Sequence, residues 1–360
     1  MLSNKCCLKK SSITKKVLTM GTVTVVSLVV LSVVSSAVIF NAVFQRRTVS
    51  PYELIMSYSD SEAENYPRRQ LSFMSGEKLL KGYVYGEQNQ KGIIIIANGF
   101  NAGASGHLGE VFYFADKGWT VLAFDGTGVG DSQGDSVVGL EQMRLDVLAA
   151  MDYIKTDEAL CELPVFLYGH SAGGYAAATL CNDERVSAVV SISGFDSPLD
   201  TMRFYAAKYV GVFADVEYPF IQLYDRYRFG ENGGIRATEQ LSESKHPVMI
   251  VQGSEDETIP YELSIYAACE DENYDNVRCV LVDEEYRNHH STIWLKAASA
   301  EKLLEIKSYK DEMLDTYGHE LPDEVEEALI ANAAAADGLL KDVNEDFLGE
   351  VSRFFEETIK

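Results

Sequence analysis

The sequence predicts an α/β protein with a mostly parallel central sheet covered by helices on both faces. Three observations lead there. From about Gln70 onward, apolar runs of strand length alternate with stretches of helical length. The runs are dense in Val, Ile and Leu rather than alternating with polar residues, as expected of strands buried on both faces. The 360 residues are 46% hydrophobic and 24% charged, enough for one large domain with appendages.

The N-terminus reads differently. Residues 1–16 form a basic arm with Lys5, Lys9, Lys10, Lys15 and Lys16. Residues 17–44, Val17 to Phe44, are uncharged and apolar. As a helix this run would extend about 42 Å, more than the roughly 30 Å of a bilayer's hydrocarbon layer. Five lysines precede it, and Arg46 and Arg47 follow it. The expectation is a single-pass signal-anchor with a cytoplasmic N-terminus and an extracellular domain. A cleaved signal peptide is the alternative, with Ser35-Ser36-Ala37 offering small residues for cleavage. The first 47 residues carry +7 of a net charge of −24, so the remainder carries −24 − 7 = −31. So acidic a surface repels phosphate backbones, which argues against nucleic-acid binding.

Residues 45–70 read as a linker, and residues 71–90 as an antiparallel hairpin turning near Gly76. Strands are expected at Gly92–Ala97, Thr120–Phe124, Val165–Tyr168, Ala188–Ile192, Val248–Gln252 and Arg278–Val282. Helices are expected at Ala104–Lys117, Val138–Lys155 and Ala172–Cys181. The long connection after Ile192 holds an aromatic-rich insertion, about residues 196–245. A helical extension occupies about residues 304–360. In it Phe347, Val351, Phe354 and Phe355 form one apolar face fit to dock on the main domain. Cys6 and Cys7 flank the apolar run and could be acylated, though an unmodified pair is the simpler reading. Cys161, Cys181, Cys269 and Cys279 fit no common zinc spacing and read as free thiols, with a Cys269–Cys279 bridge as the alternative.

The chemistry centres on Gly169-His170-Ser171-Ala172-Gly173, set between an apolar strand and an Ala-rich helix. There it makes a sharp elbow with a strained nucleophile, and the helix start offers N–H groups to an oxyanion. A serine needs a base, and a base needs an acid to orient it. Among six histidines, His289 and His290 follow the last strand, at the sheet edge where the sites of open α/β sheets form. Asp256, in the loop after Val248–Gln252, is the candidate acid, with Glu255 as its rival. The order Ser171, Asp256, His290 leaves gaps of 85 and 34 residues. Asn98-Gly99-Phe100 follows the first parallel strand, and the Phe100 N–H is the candidate second oxyanion donor beside that of Ala172. The glycines of Asp125-Gly126-Thr127-Gly128-Val129-Gly130-Asp131-Ser132 depart from a dinucleotide fingerprint at Asp131 and read as a tight structural loop.

On these motifs, together with Gly-x-x-Asp-x-x-x-Pro at 253–260, the chain resembles the α/β-hydrolase superfamily from about Leu71 to Leu304, with the terminal helix added. It looks closest to lysophospholipase-like and serine-aminopeptidase-like hydrolases of Gram-positive bacteria. The resemblance implies Ser171 as nucleophile, Asp256 as acid and His290 as base, with His289 as alternative base. It also implies backbone N–H groups of Phe100 and Ala172 as the oxyanion hole, residues 196–245 as a cap, and no metal or organic cofactor. Asn98 stands where the superfamily often has His, and His289 stands where a small residue usually precedes the base. The activity implied is a serine hydrolase, with carboxylic esters or lysolipids favoured as substrates and short peptides as the enzymic alternative. A non-catalytic, membrane-anchored binding module is the alternative of a different class. Oligomeric state is not legible in the sequence.

Overall fold

A computed structural model of the chain describes residues 3–46, 64–272, 274–317, 321–335 and 341–359. Most of the expected linker, and His319, lie outside the described residues. The basic arm and the apolar run form one helix, α1 (Ser3–Val43). Within it Leu18–Val43, with a mean hydropathy of 2.6, is long and apolar enough to cross a membrane.

The elements then follow in the expected alternation: β1 (Arg68–Ser75), β2 (Lys78–Tyr85), β3 (Ile93–Ala97), α2 (Leu108–Asp116), β4 (Thr120–Asp125), α3 (Gln142–Ile154), β5 (Val165–His170), α4 (Ala172–Thr179) and β6 (Val186–Ile192). The insertion supplies α5 (Pro198–Val210), α6 (Phe213–Phe229) and α7 (Ala237–Leu241). After it come β7 (Val248–Gly253), α8 (Ile265–Cys269), β8 (Val277–Val282), α9 (Ala297–Tyr317), α10 (Asp323–Ala335) and α11 (Glu345–Glu356). The first hairpin turns at Gly76, whose φ of +56° a side chain would disfavour.

The eight strands form one sheet in the order β1-β2-β4-β3-β5-β6-β7-β8. β1 with β2 and β2 with β4 are antiparallel, and the other neighbours are parallel. β3 pairs with β4 on one side and β5 on the other, so the winding reverses there. A crevice opens at such a reversal, beyond the carboxyl ends of the strands. β3 illustrates why the strands read as continuous apolar runs. Ile93 and Ile95 pack into the core on one face, with Leu122 and Val147. Ile94 and Ile96 pack into the other, with Phe166 and Trp119. α11 closes that second face through buried Phe347, Leu348, Val351 and Phe355, with Phe354 partly buried at its margin. The Trp119 indole donates to Ser352 Oγ at 2.9 Å, which satisfies its N–H inside the core.

The chain forms two compact bodies. The larger, Phe44–Thr201 with Ile235–Lys360, contains the sheet. The smaller joins α1 to Met202–Gly234. Cys161, Cys181, Cys269 and Cys279 are free thiols, with Cys181 and Cys269 buried.

Candidate active site

β5 and α4 meet at Ser171, which takes φ 57° and ψ −118°. A non-glycine residue in this region is strained, and such strain collects at functional sites. The surroundings compel it. A β-carbon on Gly169 would overlap the Gly173 backbone, and one on Gly173 would overlap the Ala97 carbonyl. Both positions therefore require glycine for the turn to close. The Ser171 N–H donates to the Ile192 carbonyl at 2.9 Å, which ties the elbow to β6. Ala172 opens α4, so its N–H has no acceptor within the helix.

Asp256 lies after β7 with its side chain 1% exposed. Its Oδ1 accepts from the N–H groups of Thr258 (2.9 Å) and Ile259 (2.7 Å), and its Oδ2 accepts from Gln252 Nε2 (3.0 Å). Both oxygens lie 2.9 Å from His290 Nδ1. A carboxylate so placed fixes the imidazole tautomer with the proton on Nδ1 and leaves Nε2 as the basic atom. Glu255 is exposed. His289 turns to the Glu257 carboxylate, with Nδ1 to Oε2 at 3.4 Å. The structure thus brings Asp256 to His290 and leaves His289 and Glu255 out of that pair.

His170 links the pair to the elbow. Its Nε2 donates to the His290 carbonyl at 2.9 Å, and the two rings lie 4.7 Å apart. Behind it His107 packs 5.5 Å from the His170 ring, and its Nδ1 lies 2.5 Å from the buried Glu110 carboxylate. Trp294 packs against both His107 and His170. Burial, with the His290 and His107 rings alongside, holds His170 well below the usual histidine pKa and so neutral.

Glu257 supports His290 from the other side. It accepts the His290 backbone N–H at 3.3 Å and the Lys307 ammonium at 2.9 Å. Burial raises the Glu257 carboxyl, but the Lys307 hydrogen bond and charge outweigh it and bring the pKa down to about 2.

Phe100 and Ala172 line one pocket together with Gly99, Val137, Leu140 and Met143. The Asn98 side chain points away from it and donates to the Phe124 carbonyl at 2.9 Å. Asn98 therefore braces the end of β4 while its neighbours face the pocket. The Asp125 loop is structural. Asp125 accepts the N–H groups of Ala104 (2.7 Å) and Asp131 (3.0 Å), and burial raises its pKa. Asp146, also raised by burial, holds Thr127 through its N–H at 2.7 Å and hydroxyl at 2.8 Å.

The residues just past α1 belong to this region as well. The Phe44 ring meets that of Phe100 edge-on at 5.5 Å. Arg46 donates to the carbonyls of Gly130 (2.5 Å), Ser132 (2.8 Å) and Gly134 (2.9 Å). Sequence reasoning passed over Phe44, Arg46, His107 and Glu257 as supports. A signal existed for two of them. Glu110 stands three residues after His107, and Phe40 and Phe44 are large aromatics at helical spacing beyond the length a bilayer needs. Among the described residues no cluster of His, Cys, Asp and Glu is arranged to hold a metal ion.

Comparisons with known proteins bear on the fold. Residues 88–214 match the family model described as serine aminopeptidase, S33. An esterase of Pyrococcus furiosus has 18% sequence identity and a TM-score of 0.52, covering 76% of this chain and 97% of its own. Est1E of Butyrivibrio proteoclasticus, solved with ferulic acid bound, has 18% identity and a TM-score of 0.47, covering 66% and 98%. An acylaminoacyl peptidase of Pyrococcus horikoshii has 17% identity and a TM-score of 0.48, covering 62% and 37%. No curated protein matches the sequence. The chain has the α/β-hydrolase fold.

Proposed function

We propose that this chain, with its α/β-hydrolase fold and its match to the serine aminopeptidase family model, is a membrane-anchored serine hydrolase of carboxylic esters. The observations that support it most are the strained Ser171 and the buried Asp256–His290 pair, with the His290 carbonyl held by His170, the residue before Ser171. Ser171 Oγ attacks the acyl carbonyl carbon while His290 Nε2 takes the hydroxyl proton. The carbonyl π electrons move to oxygen, where the N–H groups of Phe100 and Ala172 stabilise the negative charge. Collapse expels the alcohol, which leaves with the proton from His290. Water, deprotonated by His290, then attacks the acyl-enzyme and releases the acid and free Ser171. Asp256 keeps the imidazole oriented and stabilises its cationic form without taking the proton.

Beside the proposed oxyanion donors, apolar Phe100, Val137, Leu140 and Met143 share the pocket lining with Thr127, Gln142 and Asp146, a lining suited to an uncharged acyl group rather than an anionic one. An apolar anchor places the enzyme beside lipid, so acyl esters and lysolipids are the substrate class. The family model favours a second reading, a peptidase acting on short peptides. A panel of p-nitrophenyl esters of rising acyl length, run beside aminoacyl anilides, separates the two. Ester cleavage that disappears in Ser171→Ala supports the esterase. Cleavage of anilides alone supports the peptidase. A folded protein that cleaves neither speaks for a binding module.

A further inference from the structure

The smaller body, described by itself, carries an apolar feature that the hydrolase reading does not use. From Leu18 to Leu31 every α1 residue with a described side chain is exposed. Ser32, Val33 and Ser35 are half-buried, and Ser36 and Phe40 are buried. What covers them is α6. The Ser36 hydroxyl donates to Glu217 Oε2 at 2.9 Å, with Ser35 at 3.3 Å. Further along, Asn41 Nδ2 donates to the Tyr224 hydroxyl at 2.9 Å, and the Phe40 and Tyr224 rings meet at 5.2 Å. The two sets of contacts ascend together, 36 to 41 on α1 and 217 to 224 on α6. The helices therefore run parallel, and the N-terminus of α6 points back along α1 toward its exposed apolar stretch.

Three features then coincide. The stretch Leu18–Val34 is about 25 Å long, close to the hydrocarbon thickness of about 30 Å. Its outer end falls where Glu217 of α6 meets the hydroxyls of Ser35 and Ser36. Phe213, four residues before Glu217, lies about 6 Å deeper along the same direction. The α5–α6 turn at that depth reads Val210-Gly211-Val212-Phe213-Ala214, with no polar side chain. Turns in water are built from polar residues and glycine. Here Val212, Phe213 and Val216 are 77%, 68% and 59% exposed, and Val210 is exposed too. The charged neighbours are satisfied locally. Asp215 pairs with Arg203 at 2.6 Å, and Lys208 Nζ lies 4.6 Å from the ring centres of both Phe204 and Tyr205. Basic and aromatic side chains of this kind line membrane interfaces.

We propose that the α5–α6 turn, through Val210, Val212, Phe213 and Val216, inserts into the outer lipid leaflet beside the anchor. The occupant of this apolar surface is the bilayer itself. The depth of about 6 Å matches the roughly 5–10 Å reached by interfacial helices. The anchor thus does more than tether. Its last turns, clasped through Ser36, Phe40 and Asn41, set the turn at the lipid surface. This inference rests on the membrane-anchor part of the proposed function.

The test uses full-length protein in phosphatidylcholine vesicles with dibrominated acyl chains. Single variants Val23→Trp, Val212→Trp, Phe213→Trp and Tyr227→Trp are compared, each after subtraction of the wild-type emission. Tyr227 is the exposed control at the far end of α6. The expected result is strong quenching and a blue shift for Val23→Trp, Val212→Trp and Phe213→Trp, and emission typical of water for Tyr227→Trp. Quenching at Val23→Trp with unquenched, water-like emission at both turn positions would overturn the insertion while leaving the anchor intact. Blue-shifted but unquenched turn positions would mean that a second protein copy covers the surface, and would also overturn it. Absence of quenching at Val23→Trp would remove the anchor and the insertion together.

Discussion

At the scale of residues, the account depends on a few side chains with separable roles. Ser171→Ala should lower kcat/KM for esters by about 10⁴-fold or more, leaving residual binding and oxyanion stabilisation. Asp256→Asn should cost about 10⁴-fold with the fold retained, because the amide favours the wrong His290 tautomer. His289→Ala, by contrast, should leave kcat close to wild type, since its ring faces Glu257. His170 makes a prediction about pH. It is neutral in the folded chain because burial lowers its pKa, and it returns to the ordinary value near 6.5 on unfolding. The unfolded state then binds the extra proton below about pH 6.5, so stability falls as pH falls. The slope contributed is at most about 1.4 kcal/mol per pH unit. Chemical denaturation between pH 7.5 and 5 should show that slope reduced in His170→Gln. An unchanged slope would assign the acid sensitivity to other groups.

At the scale of elements, most of the fold could be read in advance, because the signal was local. The apolar runs of β3, β4, β5 and β7 announce buried strands, and Gly169 to Gly173 announces the elbow. His290 could not be separated from His289 by spacing. The choice depends on which ring the β7–α8 loop meets, and there Asp256 meets one ring and Glu257 the other. The supports around the site were hidden for the same reason. Phe44 lies 56 residues from Phe100 in sequence, and only the fold brings the two rings together. Phe44→Ala should therefore lower kcat more than it raises KM, by displacing the Phe100 N–H; a purely structural role would lower stability and leave kcat per folded molecule unchanged. α11 shows the converse case. Its apolar face was legible from periodicity, and its partners Phe166 and Trp119 were not. Phe355→Ala should destabilise the sheet body by about 3–5 kcal/mol, the usual cost of emptying a buried aromatic site, measured by urea denaturation.

At the scale of the molecule, charge and hydropathy divide the chain into a basic, apolar N-terminus and an acidic remainder. Topology supplies the rest. The winding reverses at β3, and the ends of β3, β5 and β7 deliver Phe100, Ser171 and Asp256 to one edge of the sheet. His290 follows β8 at that same edge. The strained Ser171 and the buried Asp256–His290 pair are the features on which the proposed hydrolase differs from a binding module. The most direct test is therefore covalent. Full-length protein treated with a fluorophosphonate should gain one adduct, mapped by peptide mass spectrometry to Ser171, with labelling abolished in Ser171→Ala and greatly slowed in His290→Ala. Folded wild-type protein that takes no adduct at Ser171, or that labels as fast without His290, would contradict the proposed nucleophile and base.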